Sequence, residues 1–402
     1  MRNDAPAGPL LAESRPRLRE PAPAVPPPPA FRVLRVSTWP TDRRPGMGLA
    51  TRELGRDGRW ATLQVAPAPG EGETPLPPDG PHLQLHFEPF RNPTLPWDRG
   101  VGPRLAWAAA QRLRAMASFR RRVLRRAPWA ELDLVHIHSP LYAGIAREAR
   151  RRGIPSVLTI HGTDFHRLRS SRLLRRLLLP VDRILCVSDR FVEELRRLCP
   201  EIPVEAVYNG VDTETFRPGA ERRKRILTAG TLRWQKDQAC LIEAFARLTP
   251  WFPEWELWIL GEGPLRPELE DRVRTLGLEG RIFLPGARGH EDLARLLGES
   301  AVFCLPSRTE GLPKALLEAM ASGCACLATD TGECAAVLGA SGRVVPAGDA
   351  EALRRGLEEL LPAAGLRTRL GAAARRRAAD FSWPAYRDRH FRLYTSLLSH
   401  RR

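Results

Sequence analysis

The chain reads as an α/β protein of two domains, each a parallel sheet wrapped by helices, and two observations predict this. From Phe31 onward, short apolar runs of strand length alternate with helical stretches, the rhythm of parallel strands joined by crossover helices. That rhythm runs twice, on either side of the polar stretch FRPGAERRKR, and 402 residues are more than one ordinary core accommodates. The first series is FRVLRVST, ATLQVAP, LQLHFEP, DLVHIHS, SVLTIHG, RILCVSD and EAVYNGV. The second is RILTAGT, ELWILGEG, RIFLPG, AVFCLPS, CACLATD and GRVVPAG. A boundary near 218–222 gives a first domain over 31–219, a second over 220–378 and a closing helical segment over 379–402. Residues 1–30, dense in Pro and Ala, have the composition of a disordered tail.

Charge and cysteine usage narrow the function classes. The formal net charge is +17, and it is concentrated in the first half: residues 104–126 hold eight Arg and no acid, residues 167–176 five Arg and no acid. Both segments are amphipathic. Each fits either an anionic membrane surface or a solvated Arg face over a buried apolar stripe. A nucleic-acid partner is not expected, because the ten Trp and four Tyr are scattered without an interleaved stacking platform. The seven Cys lie mostly in apolar runs without metal-ligand spacing and read as buried thiols of a reducing compartment. With no secretory leader and no apolar run of membrane-spanning length, the expected location is cytoplasmic, with peripheral attachment to the inner membrane face as an option.

In doubly wound sheets ligands bind beyond the carboxyl ends of the strands. His138, His161, Ser188, Asn209, Gly230, Gly261 and the stretch Pro306 to Glu310 all follow predicted strands. After the first strand, Gly46 and Gly48 form either a plain turn or a place where backbone approaches a phosphate. In PSRTEGLPKALLEAMASG, Pro313 is expected at the first position of a helix that Gly323 closes. Glu310 precedes that helix and Glu318 sits inside it. Glu310 is either a solvated loop acid or a ligand-binding carboxylate. Glu318 either pairs with Lys314 one turn earlier or is a buried carboxylate that needs hydrogen-bond donors. Free amides at the helix start can hold a phosphate or sugar oxygen. His161, at a strand end, is a structural hydrogen-bonding residue or a catalytic one.

The segment E-G-x-P-x(4)-E-A-M-A, running from Glu310, resembles the two-glutamate signature of family 4 retaining glycosyltransferases, which have the GT-B fold of two facing Rossmann-like domains. NGVDTETFRP and GEGP, in the expected order, and TIHGTD are similar to further segments of that family, and the resemblance runs from about residue 32 to 395. It implies that the last helix crosses back onto the first domain, that the first domain takes the acceptor and that the second holds a nucleotide-diphosphate sugar. By the same resemblance, His161 hydrogen-bonds the transferred sugar and Glu310 contacts its hydroxyls, while Glu318, a lone carboxylate in an apolar helix, is assigned the ribose hydroxyls. Lys236, with Arg233 as a second cation, grips the diphosphate, aided by Gly46, Gly48 and the turn Gly311, Leu312 and Pro313. Gly261 and Gly263 make a close-approach turn. Three positions depart from the pattern: Thr231 stands where an Arg is usual, Asp237 where Gly is common, and Ala336 where a Glu is normal, with Glu333 three residues earlier.

The expected activity is therefore a retaining hexosyl transfer to a glycan, lipid-linked or small-molecule acceptor. The donor is linked to UDP or GDP. No cofactor is expected, and no metal either, since no D-x-D pair stands at a suitable strand end. A sugar-nucleotide epimerase or hydrolase on the same fold, and a non-catalytic sugar-nucleotide-binding protein, are the alternatives.

Overall fold

Runs of Val, Ile and Leu suit a pleated surface covered on both faces, and here they pair wholly in parallel. The computed structural model describes residues 30–37, 50, 53–65 and 117–399. Within them, β1 (Arg32–Val36), β2 (Ala61–Val65), β3 (Leu134–Ile137), β4 (Ser156–Ile160), β5 (Arg183–Cys186) and β6 (Val204–Ala206) form one sheet, in the order β2-β1-β3-β4-β5-β6. A second sheet consists of β7 (Arg223–Ala229), β8 (Glu256–Leu260), β9 (Ile282–Gly286), β10 (Ser300–Leu305), β11 (Ala325–Thr329) and β12 (Arg343–Val345), ordered β12-β11-β10-β7-β8-β9. The winding direction reverses between β1 and β3 in the first sheet and between β7 and β10 in the second. Those switch points are where adjacent loops diverge and leave a crevice. The loop after β1, with Gly46 and Gly48, lies outside the described residues, as do the tail, residues 104–116 and the expected strand LQLHFEP.

Each sheet has apolar packing on both sides. Leu34, Val135, Leu158 and Ile184 face one layer of the first domain, and Val33, Leu134, Val157 and Leu185 face the other. The second layer is completed by the last helix, Trp383–Ser399, which returns to the first domain and inserts Trp383, Tyr386, Leu393 and Tyr394. Phe31 and Trp60 stack at 6.0 Å, and Tyr394 meets Trp60 edge-on at 5.4 Å. Polar contacts orient this helix: the Tyr394 hydroxyl lies 2.6 Å from His136 Nδ1, and Arg387 pairs with Glu53 at 2.8 Å.

The two Arg-rich segments differ in structure. In the helix at 117–126, Phe119 and Val123 are buried in the first-domain core and the Arg side chains point outward. The second segment is broken into two helices, Gly162–Ser170 and Arg172–Leu178, because the Ser171 hydroxyl accepts the Leu174 amide and caps a new helix. All seven Cys are reduced and buried. Among the described residues no helix is long and apolar enough to cross a membrane.

The chain crosses between the domains twice, and the two crossings are hydrogen-bonded to each other. Val211 donates its amide to Phe381 (2.7 Å), Trp383 donates to Val211 (3.3 Å), and Val211 and Ser382 form a parallel bridge. Gly210 lies flat against the Trp383 ring, so a Cβ there would fall 2.3 Å from Cε3. Gly210→Ala should therefore lower the unfolding free energy by about 1–3 kcal/mol through overpacking. A denaturant midpoint equal to that of the parent would show that the crossings are not tightly packed.

Candidate active site

Beside the crevice between β7 and β10, the loops that follow β7 and β8 touch through their backbones. A Cβ on Gly261, which has φ +140°, would lie 1.8 Å from the Gly230 carbonyl oxygen, and one on Gly263 would lie 2.4 Å from that of Leu232. Hydrogen bonds from Gly230 to Leu260 (3.0 Å) and from Leu232 to Glu262 (2.9 Å) join the same two loops. The close approach expected of Gly261 and Gly263 is thus made to the neighbouring loop of the protein itself.

Lys236 and Glu310 meet in this crevice. The Lys236 ammonium lies 2.6 Å from Glu310 Oε1, and the Ser307 hydroxyl donates to the same oxygen at 2.6 Å. The Glu310 side chain is 8% exposed, so of its two readings the solvated loop acid does not hold. The Lys236 stem runs across Gly230, where a Cβ would stand 3.6 Å from it. The neighbouring turn is tied to the Glu310 loop by Arg308, whose amide donates to the Gln235 carbonyl (2.8 Å) and whose guanidinium pairs with Asp237 at 2.7 Å. Asp237 has φ +46°, a left-handed conformation that suits Gly better, in keeping with the Gly expected there. Arg233 is on the same turn with an exposed side chain.

Beyond Glu310 the chain enters the helix Lys314–Ala321. Pro313 is its N-cap and not its first residue, a correction of one position: its ψ of 84° is not helical. Gly323, with φ +71°, terminates the helix as expected. Gly311 is exposed and a Cβ there would meet no atom within 4 Å; Leu312 is half-buried and Pro313 buried. The first amides of the helix have no intrahelical acceptor, which makes this turn suited to an anionic group. Glu318 lies one turn inside, 7% exposed, with the Lys314 ammonium only at 4.0 Å. Burial pushes its carboxyl up to about 7, with Lys314 opposing weakly.

In the first domain a row of imidazoles runs from the ends of β3 and β4 to the last helix. His136 and His138 are 4.1 Å apart between ring centres, His138 and His161 6.3 Å, and His136 and His390 5.7 Å. His136 is held by Tyr394 and by Thr159 (2.8 Å), a structural role. His161 precedes the helix Gly162–Ser170 as its N-cap, and its buried Nε2 has no hydrogen-bond partner among the described residues, nor has either ring nitrogen of His138. The structure thus brings Lys236 and Glu310 into contact, sets Glu318 one turn along the helix and keeps His161 on the opposite domain.

Three features were not anticipated from sequence: Ser307 on Glu310, the Arg308–Asp237 pair, and Glu333. Ser188, at the end of β5, donates its hydroxyl to Glu333 across the domain boundary. Ser307 and Asp237 lie next to anticipated residues, whereas the Ser188–Glu333 contact spans 145 positions and leaves no local signature. Among the described residues no group of three or more His, Cys, Asp or Glu is arranged to hold a metal ion.

Residues 212–377 match the family model described as glycosyl transferases group 1, and residues 77–215 match that described as glycosyltransferase family 4. Among curated proteins, the chain is 28% identical over 280 residues to alpha-D-kanosaminyltransferase of Streptomyces kanamyceticus, covering 62% of this chain and 72% of that protein. It is 28% identical over 232 residues to the UDP-Gal:alpha-D-GlcNAc-diphosphoundecaprenol alpha-1,3-galactosyltransferase of Escherichia coli, covering 49% of this chain and 58% of that protein. It is 27% identical over 266 residues to N-acetyl-alpha-D-glucosaminyl L-malate synthase of Bacillus anthracis, covering 61% and 69%. Among solved structures, sucrose-phosphate synthase of Thermosynechococcus elongatus superposes with a TM-score of 0.69 at 19% identity, over 92% of this chain and 100% of that one. An Anabaena protein in complex with UDP gives 0.66 at 16% identity, over 91% and 100%.

The buried imidazoles make stability depend on pH. Burial lowers His161 and His390 to about 4 and His136 and His138 well below the ordinary value, so the folded chain resists protonation that the unfolded chain accepts near about 6.5. Their contribution is complete above that value and is lost as pH falls toward about 4, by up to roughly 3 kcal/mol for each of His161 and His390. Glu318 and Asp164, raised by burial to about 7 and about 6, act in the opposite sense but are two against four. Urea midpoints should fall between about pH 7 and about pH 5; a midpoint that stays level or rises would contradict the burial of neutral imidazoles.

Proposed function

The chain belongs to the family 4 glycosyltransferases, and from that premise we propose that it moves a hexosyl group from a nucleotide-diphosphate sugar to an acceptor hydroxyl with retention of configuration. The observation that carries this reading is the Lys236–Glu310 contact at the β7/β10 crevice, beside the open turn at Gly311. Both bonds to Glu310 fall on Oε1, which leaves Oε2 to take sugar hydroxyls. Lys236, Arg233 and the amides of Gly311, Leu312 and Lys314 neutralise the diphosphate as it departs. Solved neighbours carry UDP and UDP-glucose, which supports a nucleotide-sugar donor here and makes UDP the first nucleotide to test. Glu318 receives the ribose hydroxyls, and His161 braces the sugar from the first domain.

In this mechanism the acceptor oxygen bonds to the anomeric carbon on the face from which the phosphate oxygen leaves. The acceptor proton passes to that departing oxygen, so no protein base is needed on the opposite face. Cationic side chains and amides carry the charge, with no metal required. Glu318→Ala should weaken UDP or GDP binding by about 1.5–3 kcal/mol, the worth of a hydrogen bond to a charged group. Glu310→Gln and His161→Ala should instead slow transfer and leave nucleotide binding nearly unchanged. A nucleotide-sugar thermal-shift screen identifies the donor, which at a hundred times its Kd adds about 2.7 kcal/mol. Product NMR showing an inverted anomeric centre would overturn the mechanism.

The acceptor side of the proposal is an anionic lipid surface. Leu173, Leu177 and Leu179 are 70%, 38% and 47% exposed, and Leu173 and Leu177 share one face of the helix Arg172–Leu178. Arg172 and Arg176 flank them, also exposed. The helix at 117–126 offers Arg alone, its apolar stripe being used in the core, so the lipid contact belongs to the 167–176 segment and its continuation to Leu179. Such a face brings a lipid-linked acceptor to the first domain. Leu173→Ser with Leu177→Ser should abolish cosedimentation with anionic vesicles and spare the fold. Equal cosedimentation of parent and variant would remove the membrane from the proposal, and binding to neutral vesicles as strong as to anionic ones would remove its anionic selectivity.

A further inference from the structure

Glu333 is 2% exposed, and its carboxylate is satisfied almost entirely by the other domain. Oε1 accepts from the Ser188 hydroxyl and from the Arg190 amide at 3.1 Å; Oε2 accepts from the Tyr208 hydroxyl at 3.0 Å. Arg190 is in the first turn of the helix Asp189–Leu198, and Ser188, its N-cap residue, makes no capping bond with its own side chain. The Ser188 hydroxyl instead donates a hydrogen bond to Glu333, and Glu333 accepts one from an orphan amide of that helix. A carboxylate from the second domain thus caps a helix of the first, where the helix dipole favours negative charge. Tyr208 also lies 2.6 Å from Asp189 Oδ2, so one phenolic proton serves two carboxylates; burial and these two acids hold the phenol protonated.

The backbone of Glu333 faces the donor loop. Its amide donates to the Gly311 carbonyl at 3.2 Å. The preceding Gly332, φ +54°, packs so closely on that loop that a Cβ would lie 2.4 Å from the Glu310 carbonyl oxygen and 2.6 Å from that of Gly311. One residue therefore holds the first-domain helix with its side chain and the loop carrying Glu310 with its main chain.

We propose that Glu333 is a positioning residue that couples docking of the two domains to the shape of the donor loop at 310–313. The proposal rests on the glycosyltransferase reading only in calling that loop the donor loop; the coupling itself is a property of the fold. When the first domain is docked, the bonds from Ser188, Arg190 and Tyr208 fix Glu333, and Glu333 fixes Gly311. When the domains part, the carboxylate loses these donors together and the loop loses its brace.

The test is hydrogen–deuterium exchange on the full chain, with substitutions made in the domain opposite to the readout. Ser188→Ala alters only the first domain, and Tyr208→Phe removes only a hydroxyl from a ring that packs on the second-domain core, yet each should accelerate amide exchange across 309–314 by about tenfold, the worth of one hydrogen bond to a charge. Glu333→Ala should accelerate exchange both there and at 189–192, and Glu333→Gln, which keeps an acceptor oxygen, should restore most of the protection. The double variant Glu333→Ala with Ser188→Ala should be no faster than Glu333→Ala alone. Unchanged exchange across 309–314 in Ser188→Ala and Tyr208→Phe would overturn the coupling, as would additive effects in the double variant. Calorimetry with UDP and GDP on the parent tests the donor reading separately, since failure to bind either nucleotide leaves the exchange result intact.

Discussion

Everything in this molecule that brings two half-sites together depends on the paired crossing at 210–211 and 381–383. A single linker lets two domains take many orientations; two linkers bonded to each other restrict them to motion about one place. Arg375 extends the constraint into the site. Its guanidinium donates to the Thr213 (2.8 Å) and Phe216 (2.6 Å) carbonyls on the first crossing and to the Ala321 carbonyl (2.6 Å) at the end of the helix that carries Glu318. Those carbonyls would otherwise be unpaired, one at a helix terminus and two in a linker, and a planar five-donor group can satisfy all three at once.

The same chemistry accounts for a composition that looks at first like a solvent-facing excess of charge. The chain has 60 Arg and three Lys. Several Arg are internal fasteners: Arg222 donates to the Leu297, Ser300 and Ser322 carbonyls, Arg281 to those of Phe252 and Trp255, and Arg367 to those of Leu360 and Leu361. Lys224 pairs with Glu254 at the surface, whereas Lys236 and Lys314 both stand in the crevice. An ammonium is a compact charge on a thin stem, and the passage over Gly230 to Glu310 admits such a stem.

Much of the fold was legible in the sequence because each strand is a local apolar run and each crevice residue follows one. The two carboxylates stood out through their resemblance to a family signature, and Lys236 because the chain has only three Lys. What stayed hidden was set by tertiary contact or by a single local bond. Pro313 caps the helix instead of opening it, and Ser171 divides an apparently continuous amphipathic stretch by turning its hydroxyl onto Leu174. Gly261 and Gly263 were legible as places of close approach, but which backbone approaches depends on loops from different strands. Glu333 sits three residues before Ala336, where a family pattern appeared to have lost its acid, and its side-chain donors come from residues 188–208.

The helix Trp383–Ser399 closes the aromatic layer begun by Phe31 and Trp60. During synthesis those two residues emerge among the earliest of the described chain, and the rings that cover them emerge last. The first domain, although made first, therefore waits with an open apolar face while the second is translated and can close on its own residues. A chain cut short before Trp383 therefore carries a second domain with its own core and a first domain whose aromatic layer is open.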